Sequence, residues 1–124
     1  MNQRQTLIAG SILGLLGVAL GAFGAHALKP FLIMNGRTET FELAVRYQFY
    51  HALALLLIGL MPEKLSGNLL RWTSIAMLAG VVLFSGSLYL FAVTNLTFFA
   101  LITPLGGVSL LVGWGLLLFR LLES

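Results

Sequence analysis

An all-α integral membrane protein, a four-helix bundle with a glycine-rich first helix, is the fold class that three observations predict. Hydrophobic residues make up 59% of the 124-residue chain and charged residues only 9%, against roughly 25% charge in an ordinary soluble domain. Four stretches, approximately residues 7–28, 41–61, 72–93 and 97–121, are apolar enough to cross a hydrocarbon core of about 30 Å. Finally, Gly10, Gly14, Gly17, Gly21 and Gly24 recur at spacings of four, three, four and three residues, which lines them along one face of a helix. Inside lipid no water satisfies the backbone, so each crossing must be helical. Residues 1–124 therefore read as one four-span domain.

Glycine inside a soluble helix costs about 0.5–1 kcal/mol relative to alanine. Within a bilayer the same residue lets a neighbouring helix approach closely, so the glycine stripe of the first span predicts a helix contact. Arg4, the apolar run and Ala25-His26-Ala27 imitate a signal peptide, but the run from Leu7 to Phe23 exceeds the ~7–15 residues of a signal core. Lys29-Pro30 is expected to close the first span. Residues 31–40 are too short and too polar to cross and are expected at the interface. Met61-Pro62 closes the second span, and Thr94-Asn95 forms a tight turn between the third and fourth. Pro104, ahead of Leu105-Gly106-Gly107, removes a helical donor, frees the carbonyl of Ala100 and predicts a kink. Trp72, Tyr47 and Tyr89 read as interfacial anchors.

Four spans place both termini on one side. Arg4, Lys64, Arg71 and Arg120 fall on that side, and Lys29 and Arg37 on the other. The excess predicts cytoplasmic termini. The formal charge of +3 comes from basic residues scattered singly at segment ends, without the basic patch that nucleic-acid binding needs. Cysteine is absent, which excludes disulfides and thiolate chemistry.

Polarity concentrates in the outer half. The second span carries Glu42, Arg46, Gln48 and His51 before a purely apolar second half. His26 ends the first span, and Ser85 and Ser87 lie in the outer half of the third. An arginine in hydrocarbon costs a few kcal/mol on insertion scales, so Arg46 is expected to face the bundle interior. Glu42, one turn earlier, is its expected ion-pair partner. Together these residues suggest a one-sided polar pocket. The plain structural alternatives are an outer salt bridge with Arg46 snorkelling, a hydrogen-bonded core histidine at His51 and an interfacial His26. A haem between the two histidines is disfavoured, because they differ in depth by about 10–15 Å. No metal-spaced cluster, nucleophile elbow or phosphate loop is present, so no metal or cofactor is expected.

Gly21-Ala-Phe-Gly-Ala-His-Ala-Leu28, Arg46-Tyr-Gln-Phe-Tyr-His-Ala-Leu53, Ser85-Gly-Ser-Leu-Tyr89 and Thr103-Pro-Leu-Gly-Gly107 occur in order along the chain. With these motifs the sequence resembles the YgdD/YwdK-like family of small bacterial inner-membrane proteins, a family of unknown function with a small animal transmembrane relative. The resemblance implies a four-helix membrane protein of this size in a bacterial inner membrane. It carries over no activity, cofactor or catalytic residue.

Three function classes are compatible with these features. The first is an outward-facing polar pocket binding a lipid headgroup, small solute or partner helix, with membrane lipid and a second copy as the natural partners. The second is transport of a small solute or proton through Glu42, Arg46 and His51. The third is an intramembrane enzyme with His51 as acid and base, which lacks any visible nucleophile or metal.

Overall fold

Asn2 opens the first helix with a reciprocal cap: its side chain accepts from the Gln5 backbone at 2.8 Å, and the Gln5 side chain accepts from the Asn2 backbone at 3.0 Å. The computed structural model describes residues 1–65 and 67–123. Among these it is all helical, with α1 (Gln3–Ala25), α2 (Lys29–Asn35), α3 (Thr38–Gly59), α4 (Asn68–Thr94) and α5 (Thr97–Glu123), plus a 3-10 turn at Glu63–Leu65. Three of these helices, α1, α4 and α5, are long and apolar enough to cross a membrane. The expected fourth crossing corresponds to α3, whose polar first half keeps it out of that set.

The connections follow from local chemistry. α1 ends at Ala25, earlier than Lys29-Pro30, and His26 caps it in a non-helical conformation. Pro30 sits in the first turn of α2, where its missing N–H would have had no helical partner. Gly36 ends α2 with φ 68°, and Asn95 ends α4 with φ 59°, the left-handed closure that glycine and asparagine tolerate best. α5 stays helical through Pro104.

Packing runs mainly between α1 and α3, α3 and α4, and α4 and α5. The α1–α3 contact is antiparallel and built on glycine. Gly10 lies against the Ala52 carbonyl and Leu56, Gly17 against Phe49, Gly21 against Val45 and Gly24 against Phe41. At the other end the roles reverse, and Gly59 of α3 receives Leu7. Gly14 is the exception to the expected stripe, because nothing lies within 4 Å of the position its Cβ would take. At 100° per residue it sits about 40° to one side of Gly10, and α3 crosses over the opposite edge. The α4–α5 contact uses Gly80, Gly106 and Gly113, which face Leu110, the Phe84 backbone and Met77.

Two apolar clusters result. Ala54, Leu55, Ile58, Leu70 and Met77 fill the end that holds the termini, and Leu32, Phe41 and Ala92 fill the other. Gln3 Nε2 donates to the Met61 carbonyl at 2.8 Å, and Arg120 donates to the Leu65 and Lys64 carbonyls at 3.0 and 2.9 Å. Both ends of the chain are thereby tied to the α3–α4 connection. At the far end Arg37 donates to Asn95 at 2.7 Å and lies over the Phe91 ring at 4.1 Å.

Candidate functional site

The polar half of α3 points in several directions. Phe41, Ala44, Gln48, His51, Ala52 and Leu55 form its buried stripe, at the three- and four-residue spacing of a core-facing helix. Glu42 and Arg46 fall between them and are exposed. Gln48 and His51 lie about 140–160° around the helix from Arg46.

Gln48 bridges three helices. Its Nε2 donates to the Leu13 carbonyl of α1 at 2.8 Å, and its Oε1 accepts from the Tyr89 hydroxyl of α4 at 2.5 Å. Ser85 donates to the Ala44 carbonyl at 2.8 Å, and Ser87 shares a hydrogen with Thr103 of α5 at 2.6 Å. His51 Nδ1 is 2.8 Å from the Tyr47 carbonyl, and Trp114 Nε1 donates to His51 Nε2 at 3.1 Å. An indole nitrogen only donates. Nε2 therefore accepts, and Nδ1 carries the hydrogen given to Tyr47. Both ring nitrogens are occupied, which leaves His51 none to offer a substrate in this arrangement. Among the described residues no fully buried side-chain N or O lacks a partner. This layer lies between the two apolar clusters.

Arg46 corrects the expectation that it faces the interior beside Glu42. Among the described residues the ion pair present is Arg120–Glu123 at 3.5 Å, and neither Glu42 nor Arg46 makes a hydrogen bond or ion pair. Phe41, Ala44 and Gln48 already occupy the buried side of α3 at this level, so the charged pair is left outside. It lines a groove of about 230 Å³ floored by Gly21, Gly24, Phe41 and Val45. A larger groove of about 680 Å³ lies elsewhere, walled by Tyr47, Tyr50 and His51 of α3, Phe84 of α4, and Pro104 and Trp114 of α5. Tyr47 stacks on Phe84 there, with ring centroids 4.6 Å apart. No residue lines both grooves. Glu42, Arg46 and His51 do not form one site.

His26 is exposed at the end of α1. Gly24 meets Phe41, which puts His26 near the level of residue 39 and about 18 Å from His51 along the helix axis. The sequence reading missed Trp114 as a partner of His51, and it placed Tyr89 at the interface although its hydroxyl bonds Gln48. The available signal was chemical: an indole N–H or phenol in an apolar helix needs an acceptor, and His51 and Gln48 are among the few at that depth.

Three apolar helices of membrane-crossing length, packed through glycine around a hydrogen-bonded layer, define a small polytopic membrane protein. Residues 20–107 match the model of the family described as Protein of unknown function (DUF423), and the chain belongs to that family. It is 43% identical over 109 residues to the UPF0382 membrane protein YwdK of Bacillus subtilis, covering 87% of this chain and 88% of that protein. To the UPF0382 inner membrane protein YgdD of Escherichia coli K12 it is 41% identical over 120 residues, covering 95% and 89%. No solved structure matches the chain.

Proposed function

We propose that this chain is a four-span protein of the bacterial inner membrane that holds a phospholipid headgroup in the groove at Glu42 and Arg46. Support for the fourth span comes from packing: α3 lies along α1 from the Leu7–Gly59 contact to the Gly24–Phe41 contact, so a bilayer crossed by α1 is crossed by α3 as well. At 1.5 Å per residue its 22 residues reach about 33 Å. Support for the inner membrane comes from the name of the Escherichia coli relative.

One observation carries the headgroup reading. Arg46 is an exposed cation on a helix packed into an apolar bundle, and no described side chain neutralises it. At membrane depth such a charge requires a counter-charge, and a guanidinium fork matches a phosphate bidentately. The groove, at about 230 Å³, is smaller than the ~300–1,000 Å³ pockets that enclose drug-sized ligands. It suits a headgroup whose acyl chains stay outside. Glu42, one turn away, supplies an acceptor for the ammonium of a zwitterionic lipid. Phospholipid retained on the purified protein, measured by native mass spectrometry, should fall several-fold in Arg46→Gln. An unchanged lipid complement in that variant overturns the reading.

A further inference from the structure

We propose a second, separate site at the end of the molecule that holds the termini: a pocket for a phosphate group, formed by Asn68, Arg71 and Ser74 of α4. A cavity of about 230 Å³ opens there between the first turns of α1 and α4, walled by Thr6, Ile58 and Leu70. Asn68, Arg71 and Ser74 all line it, and their spacing of three places them on one face of α4.

Ser74 is the observation that points to a ligand. Its residue is only 2% exposed, yet it makes no hydrogen bond with any described residue, and it lines the cavity. A buried serine in a helix ordinarily bonds back to the carbonyl four residues earlier, as Thr73 does to Leu69 at 2.8 Å. Ser74 leaves its hydroxyl for the cavity instead. Further backbone donors lie about 6–9 Å along the axis from Ser74, because Gly67 caps α4 without a side-chain hydrogen bond, so the first N–H groups of the helix keep their capacity for an anion. Thr6, by contrast, already donates to the Asn2 carbonyl at 3.0 Å. Arg71 is exposed at the rim and, among the described residues, is not in an ion pair. Among the described residues no carboxylate lines the cavity. A guanidinium, a hydroxyl, an amide side chain and an uncapped helix start, with no carboxylate among the described lining residues, select a phosphate. That group comes from a lipid of the leaflet at this end or from free phosphate, and Arg46 takes no part in it.

The test is thermal unfolding of the full chain in a maltoside detergent at fixed ionic strength. Inorganic phosphate and short-chain phosphatidic acid serve as probes against chloride. Wild type should melt several degrees higher with one or both probes. A shift with phosphatidic acid alone assigns the site to lipid, and an equal shift with phosphate assigns it to the free anion. Arg71→Gln should raise the half-saturating probe concentration about tenfold. Ser74→Ala should raise it about threefold or more while leaving the melting temperature in chloride unchanged, since the hydroxyl has no partner to lose. No shift in wild type with either probe overturns the site. So does an undiminished shift in both variants, or a Ser74→Ala loss of stability in chloride that equals the whole ligand effect.

Discussion

A methyl group at Gly106 would collide with the Phe84 backbone nitrogen and lie 2.8 Å from the Gly80 carbonyl. Backbone cannot yield as a side-chain tip can, so Gly106→Ala should force α4 and α5 apart. The expected loss is about 1–3 kcal/mol or more, the usual range for overpacking, measured by reversible unfolding in detergent. Gly14→Ala is the matched control. Open space surrounds that position, so its effect should stay within about 0.5 kcal/mol, as for a surface substitution. A Gly106→Ala variant as stable as wild type would remove close backbone contact as the basis of the α4–α5 pair. The regularly spaced glycines of α1 were legible as a contact stripe because their period is short, and four of the five, all but Gly14, meet α3. Gly80, Gly106 and Gly113 were not, because they are split between two helices and align only in the antiparallel register of the pair.

Among the described residues, one side-chain hydrogen bond ties α5 to α3, from Trp114 to His51. Trp114→Phe keeps an aromatic ring, though a smaller one, and removes the donor. It should cost roughly 0.5–1.5 kcal/mol, toward the ~0.6 kcal/mol average of such bonds in membranes. His51→Ala also removes the bond to the Tyr47 carbonyl and a buried ring, and should cost more, about 1–3 kcal/mol. A double variant whose loss equals the sum of the two single losses would show that the residues are not coupled. Gln48→Leu should likewise destabilise by about 1–3 kcal/mol, because the Tyr89 hydroxyl would lose its acceptor in the interior. An unchanged unfolding midpoint in Gln48→Leu would mean that water replaces the amide. Polar residues on α3 were visible in the sequence, but their directions were not. The i, i+4 spacing of Glu42 and Arg46 allowed an ion pair, while the buried stripe through Ala44 and Gln48 determined that both face outward.

For the whole molecule, the end carrying Arg4, Lys64, Arg71 and Arg120 also carries both termini, and Lys29 and Arg37 lie at the other. The positive-inside rule then predicts cytoplasmic termini. A carboxy-terminal fluorescent fusion should be bright and a phosphatase fusion at the same point inactive, and the reverse pattern would invert the molecule. That predicted orientation would put the Arg46 groove in the outer leaflet and the Arg71 cavity in the inner one. Removing Arg46 and removing Arg71 should therefore weaken two independent sites, with additive effects on ligand-induced stabilisation at so great a separation.

Composition and periodicity alone determined that this chain is helical and lives in lipid, because 59% apolar residues in long uninterrupted runs leave no other way to satisfy the backbone. They also determined that glycine would form helix contacts, and where most of the connections fall. Tertiary structure decided which polar side chains meet. Gln48, Tyr89 and Leu13 are brought together from three helices, Ser74 faces a cavity that a distant turn of α1 completes, and Arg46 is separated from His51 by the body of α3. Sequence spacing reports neighbours on one helix face, whereas a site shared between helices depends on their register and rotation, which the packing of every other residue sets.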